Sequence, residues 1–252
     1  MKSIKDHFDS IQSKIKSACK KANRSPNDIR LIGVCKYQPI DKIKDALNLG
    51  ILDLGQNYFQ GLKEQRELLG NDFFKATWHF VGHLQTNKVK ALLQLFPKNP
   101  PFIQTLDRLE LAKKIQAFAK DYHWKIPCLI QVLPNKNPGG ASLPTTRSGC
   151  PEEQVFSLLK ELREFSKISI KGLMILPPNE DDPKKTQNHF KNLRLLRDSL
   201  QKELPTLSCE RFSLQELSMG MTHDYHLAIL EGATMVRIGT GLFGKRIDKQ
   251  HA

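Results

Sequence analysis

The chain is poor in the features that would place it in a membrane, outside the cell or around a structural metal. In 252 residues no stretch approaches the roughly 20 consecutive apolar residues of a membrane span. The start, Met1-Lys-Ser-Ile-Lys-Asp6, lacks the apolar core of a secretory signal. Cysteine is scarce and scattered: Cys19, Cys35, Cys128, Cys150 and Cys209 form no Cys-x-x-Cys pair and no zinc-like spacing with histidine. That argues against a disulfide framework and a structural metal site, so reduced thiols and a cytoplasmic location are expected. Acidic residues are also short, 26 against 39 Lys plus Arg, leaving a net charge of +13. Such a charge attracts nucleic acid, anionic lipid or a phosphorylated small molecule, and does not by itself choose among them. The lysine-rich segments Lys14 to Lys21 and Lys184 to Lys202 put their charges at helical surface positions without interleaved aromatics. They read as solvated faces, so no nucleic-acid partner is expected.

What the chain does have is alternation. A leading helix is predicted over Ile4 to Ala22 on the stripe Ile4, Phe8, Ile11, Ile15 and Ala18, stopped by Asn23-Arg-Ser-Pro26. Short apolar runs then mark strands at Leu31–Cys35, Ile51–Leu54, Thr77–His83, Pro101–Leu106, Ile126–Leu133, Ile170–Leu176, Arg211–Leu217 and Thr234–Ile238. Between them, helical patterns run over Asp41–Leu49, Tyr58–Leu69, Asn87–Phe96, Arg108–Tyr122, Glu152–Phe165, Pro183–Glu203 and His223–Leu230, several closed by a glycine. The longest break is a Pro-, Gly-, Ser- and Thr-rich loop over Pro134 to Gly149. Short connections, no linker and no shift in composition predict one α/β domain over residues 1–252. The predicted fold is a (β/α)8 TIM barrel, for which about 250 residues is typical, with an extra N-terminal helix. A doubly wound open sheet is the alternative.

Barrels place their chemistry at the C-terminal ends of strands, and here the polar residues at those ends are Lys36, Asn57, His83, Asp107, Ser218 and Arg237. Lys36 follows a run buried on both faces and precedes Pro39, which cannot remain in a central strand. A partly desolvated amine there has a lowered pKa and is able to form a Schiff base with an aldehyde; the bland alternative is a lysine that snorkels to water. Near the end stands Gly239-Thr-Gly241-Leu-Phe-Gly244, a formal G-x-G-x-x-G. A dinucleotide site would need a helix, a return strand and an acidic residue about 20 positions on, and too little chain follows Gly244. In barrels, phosphate is often held by the loops after strands seven and eight, the place of Gly239 and Thr240, with Ser218 able to add a hydroxyl. A phosphate cradle facing an amine describes a pocket for a phosphorylated aldehyde, and pyridoxal 5'-phosphate is the obvious candidate.

Several longer motifs stand in order: Gly55-Gln-Asn57-Tyr58, Trp78-His-Phe-Val-Gly-His83-Leu-Gln-Thr-Asn87-Lys88, Leu217-Ser218-Met-Gly-Met221 and Met235-Val-Arg237-Ile-Gly239-Thr240-Gly-Leu-Phe-Gly244. With them the chain resembles the pyridoxal phosphate homeostasis proteins, from about Ser25 to Arg246. The resemblance implies a barrel like the N-terminal domain of alanine racemase and a cofactor held as a Schiff base on Lys36. It implies a part in intracellular pyridoxal phosphate (vitamin B6) homeostasis without established catalysis. By the same resemblance Ser218, Gly239 and Thr240 hold the phosphate, Arg237 faces the pyridine nitrogen, and Asn57 and His83 line the ring. Asn57 also suits a helix cap, and His83, like His79, a hydrogen-bonded core histidine. A monomer is expected, with enzymes that require the cofactor as its receiving partners, no metal and no membrane contact.

The chain departs from the family pattern at Gln56, where Glu is usual, at Tyr37-Gln38, where Ser or Thr and Lys are usual, and at Thr222, where Ser is usual. Arg147-Ser-Gly149 stands where Lys-Ser-Gly is expected. The competing function is an amino-acid racemase-like enzyme. Racemases of the related fold take a second base from an added β domain, and a chain ending at Ala252 after its barrel leaves no room for one.

Overall fold

The computed structural model describes residues 3–134, 148–178 and 180–245. The leading helix α1 (Ile4–Lys21) starts on a capping box, in which the Ser3 hydroxyl accepts from the Asp6 amide and the Asp6 carboxylate accepts from the Ser3 amide. Beyond it the elements alternate: β1 (Arg30–Val34), α2 (Ile40–Asn48), β2 (Asp53–Gln56), α3 (Phe59–Leu69), β3 (Thr77–Phe80), α4 (Val89–Gln94), β4 (Phe102–Leu106) and α5 (Leu109–Ala119). The second half runs β5 (Ile126–Val132), α6 (Val155–Leu162), β6 (Ile168–Ile175), α7 (Pro183–Leu207), β7 (Phe212–Ser218), α8 (Tyr225–Leu230), β8 (Met235–Ile238) and a one-turn α9 (Thr240–Phe243).

Among the described residues each strand pairs in parallel with its successor, and β8 returns to β1 with Ile32 opposite Arg237, closing an eight-stranded barrel. The parallel arrangement follows from the sequence: most strands are apolar on both faces, and only a sheet covered on both sides buries both. The larger core lies between the strands and the helix ring. A smaller one, with Ile32, Val34, Phe102, Leu129, Met174 and Met235, fills the barrel interior. The interior is not wholly apolar, because His79, Gln104, Ser218 and Arg237 are buried as well. The barrel seam is held by α1, which packs on α8 and α9, and where the His7 ring donates to the Leu242 carbonyl at 2.9 Å. The Lys42 ammonium donates to the Phe243 carbonyl at 2.6 Å. No described helix is long and apolar enough to cross a membrane. All five cysteines are free thiols, and burial pushes Cys35 up to about 12 and Cys150 up to about 11.

Many boundaries differ from the sequence-based expectation by one to four residues, and three of them have a plain local reason. The second strand begins at Asp53, not Ile51, because Gly50 at φ +80° closes α2 and the Ile51 amide donates back to Ala46. The third strand ends at Phe80 rather than His83. Its continuation passes so close to β2 that a Cβ at Gly82 would lie 2.0 Å from the Asn57 carbonyl oxygen. The seventh helix runs on to Leu207 through Pro205, four residues past the expected Glu203, and stops where Ser208 turns left-handed at φ +47°. Most of the predicted loop over 134–149, including Arg147, lies outside the described residues.

Candidate functional site

A cavity of about 460 Å³ opens at the C-terminal mouth of the barrel. Lys36 and Gln38 enter it from the end of β1, Asn57 from the end of β2, Met221, Thr222 and His223 from the β7–α8 loop. Arg237 reaches it from β8, and Gly239 and Thr240 from the start of α9. Val34, Val81 and Leu176 supply apolar wall.

Lys36 is half-buried at the strand end, where the preceding Cys35 is still paired through its amide to the Gly55 carbonyl at 2.9 Å. Tyr37, left-handed at φ +57°, turns the chain at once toward α2, so Lys36 is the last residue before the break. Arg237 is 3% exposed. Its Nη1 donates to the Ser218 hydroxyl at 2.6 Å and its Nη2 to the Ile175 carbonyl at 2.9 Å. Burial pushes this guanidinium down to about 10, with Asp224 opposing the shift. Asn57 does not cap α3. The helix has no side-chain cap, and Gln56 Oε1 accepts from the amides just before it, Asn57 at 2.8 Å and Tyr58 at 3.3 Å. The amide at position 56 therefore keeps the acceptor that a glutamate would offer. Asn57 Oδ1 is left buried at the cavity wall with no hydrogen-bond partner among the described residues.

Two expected residues lie elsewhere. His83 does not line the cavity, because the chain has left the barrel by Gly82. Its half-exposed ring shares a hydrogen bond with the Ser148 hydroxyl at 2.8 Å. His79, by contrast, is buried in the barrel interior. Ser218 is fully buried beneath the cavity, with its oxygen accepting from Arg237 and its hydroxyl hydrogen donated to Gln104 Oε1 at 2.7 Å. The hydroxyl that does face the mouth beside α9 is Thr222, whose Oγ1 accepts from the Gly241 amide at 3.4 Å. Sequence reasoning noted Thr222 only as a departure from the family pattern and gave neither it nor His223 a place in the site. Their signal was the loop Ser218-Met-Gly-Met-Thr-His223 at the end of the seventh strand, where a barrel exposes consecutive residues to its mouth.

The donor set has one character: an amine, a guanidinium, two threonine hydroxyls and the Thr240 amide at the start of α9, which has no intrahelical acceptor. Together with the orphaned Asn57 oxygen and apolar walls, it fits a flat, anionic aromatic ligand of modest size. The alanine racemase N-terminal domain family matches residues 59–247, three quarters of the chain, and the chain belongs to it. An alanine racemase from Clostridium difficile shares the fold at 15% identity and TM-score 0.64, with this chain covering 57% of it.

Within that class the chain belongs to the pyridoxal phosphate homeostasis proteins. It is 37% identical to the one from Aquifex aeolicus over 94% of this chain and 95% of that protein, and 32% identical to the one from Haemophilus influenzae over 96% of each. PipY of Synechococcus elongatus, solved with pyridoxal phosphate bound, superposes with TM-score 0.78 at 29% identity over 96% of this chain and 100% of that one.

Proposed function

We propose that this chain binds pyridoxal 5'-phosphate in the barrel-mouth cavity and holds it for delivery to enzymes that require it, without turning over amino acids. The observation that carries this reading is the meeting of half-buried Lys36 and buried Arg237, on neighbouring strands β1 and β8, at one cavity rimmed by Thr222, Gly239 and Thr240. The cofactor-bound relative PipY supports it.

Bound pyridoxal phosphate supplies an electrophilic aldehyde and an electron-withdrawing pyridine ring. In this reading Lys36 is the residue whose amine would hold the aldehyde. Thr222 replaces Ser218 as the hydroxyl at the phosphate, alongside Gly239 and Thr240. Arg237 is the residue that would meet the ring nitrogen. A guanidinium only donates hydrogen bonds, so it keeps that nitrogen unprotonated and the ring a weak electron sink. A cytoplasmic monomer with no nucleic-acid partner completes the reading.

Borohydride reduction of the pyridoxal phosphate-loaded protein is expected to leave one pyridoxyl group on Lys36, found by peptide mass analysis, and none on Lys36→Ala. An adduct on another lysine defeats the assignment. The enzyme alternative is checked by incubating the loaded protein with L-amino acids in deuterated water. No appreciable α-proton exchange is expected. Rapid exchange that disappears in Lys36→Ala or His223→Ala would establish a catalyst.

A further inference from the structure

Among the described residues no carboxylate lies within ion-pair distance of Arg237, although a buried guanidinium ordinarily needs one. A file of four hydrogen bonds leads from it through the barrel interior to a carboxylate at the opposite end. Arg237 Nη1 meets Ser218 Oγ at 2.6 Å, and Ser218 Oγ meets Gln104 Oε1 at 2.7 Å. Gln104 Nε2 meets His79 Nδ1 at 2.9 Å, and His79 Nε2 meets Asp53 Oδ1 at 2.8 Å. Gln104, His79 and Ser218 are essentially fully buried, while the Asp53 side chain is 27% exposed at the N-terminal mouth.

The two ends leave each link one orientation. An ionised carboxylate only accepts, so His79 Nε2 carries the proton that Asp53 receives. The ring faces Phe102, stacked at 5.1 Å, and the charged groups Asp53, Arg30 and Glu216; burial outweighs the carboxylates and pushes the imidazole below its ordinary pKa. The neutral ring then presents a bare lone pair at Nδ1, which takes the Gln104 N–H. Gln104 is thereby turned with its oxygen toward Ser218, the hydroxyl donates to that oxygen, and the remaining Ser218 lone pair receives the guanidinium, which has nothing but N–H to offer. Donation runs one way, from cation to anion, across three neutral side chains.

We propose that Asp53, His79 and Gln104 are positioning residues, forming a one-directional hydrogen-bond relay that fixes the orientation of Arg237 from the far end of the barrel. Their effect on a bound cofactor rests on the functional reading above; the relay itself does not. If Asp53 loses its charge, His79 is free to take the other tautomer, Gln104 turns over, and Ser218 faces two donors.

The test uses the full chain, labelled with 15N in histidine and arginine. Without cofactor, the wild-type His79 ring is expected to show the Nε2–H tautomer, and the Arg237 guanidinium protons to exchange slowly. Asp53→Asn should shift the His79 nitrogen signals and speed guanidinium exchange about tenfold, the scale of one hydrogen bond to a charged group. Arg30→Met removes a half-exposed neighbour of Asp53 and keeps the carboxylate, so it should leave both signals in place. In the loaded protein, Asp53→Asn should also shift the cofactor absorption band, although it lies at the opposite mouth. A wild-type His79 protonated at Nδ1 overturns the relay and needs no variant. So does a folded Asp53→Asn protein with unchanged His79 and Arg237 signals. Failure of the wild type to bind pyridoxal phosphate at Lys36 overturns the functional reading alone, because the unloaded signals still decide the relay.

Discussion

Gly82→Ala is expected to lower the melting temperature by roughly 6–12 °C and to cost the protein most of its affinity for pyridoxal phosphate. The added Cβ would sit 2.0 Å from the carbonyl oxygen of Asn57 and 2.8 Å from its Cα. Both are backbone atoms, so no side chain is there to swing aside. Overpacking of a tight contact costs about 3 kcal/mol, and for a protein of this size each kcal/mol is worth about 2–4 °C. The strain falls on the cavity wall, because Asn57 lines the site and the ends of β2 and β3 have to separate to admit the methyl group. Gly50→Ala is the comparison. It too places a methyl group on a special backbone, at φ +80°, but nothing lies within 4 Å of it, so a smaller loss of about 1 kcal/mol with normal cofactor binding is expected. Thermal denaturation followed by circular dichroism, with a cofactor titration of each variant, checks both statements. A Gly82→Ala protein as stable as wild type would show that the two strand ends are not in contact as described.

Arg237→Met should do the reverse, sparing the fold while weakening cofactor binding by about tenfold or more. Burial pushes the guanidinium down to about 10 in the folded protein, below the ordinary arginine range. A base whose pKa is depressed by folding penalises the folded state wherever it is protonated in both states. The penalty is therefore complete below about pH 10 and is relieved only as pH rises above it. At neutral pH it amounts to about 3 kcal/mol. Methionine removes the penalty and fills similar space, but leaves the Ile175 carbonyl and the Ser218 oxygen without their donor, which offsets much of the gain. A melting temperature within a few degrees of wild type is expected, with cofactor absorbance titrated at matched pH. A fall beyond 10 °C would mean that the buried charge is net stabilising.

The barrel was legible in the sequence because its parallel strands are short apolar runs separated by helices, a pattern that survives boundary errors of two or three residues. Lys36 was legible for a related reason: a charged residue between a doubly buried run and a proline has one place to be. The site's finer identities were not. Ser218 and Thr222 are both hydroxyls near the end of the seventh strand. Which of them faces the mouth depends on where the strand stops and how Gly220, at φ +90°, turns the chain. His83 looked like a strand-end residue because its neighbours are apolar, but the close pass of Gly82 against Asn57 ends the strand earlier. The interior file through His79 and Gln104 was hidden for another reason. It joins β2, β3, β4, β7 and β8, and contacts between non-neighbouring strands follow from barrel closure, not from any local pattern.

That closure bears on how the protein comes to exist. Lys36 follows the first strand made and Arg237 belongs to the last, and the two share a wall only across the β1–β8 seam. During synthesis the first seven strands emerge without the arginine, the start of α9 or the carbonyls that α1 and Lys42 clasp. A contact between such distant parts of the chain comes at the cost of closing a very long loop, and so forms late. A ligand held jointly by both sides of the seam then binds only the finished barrel and, by mass action, draws late intermediates toward it.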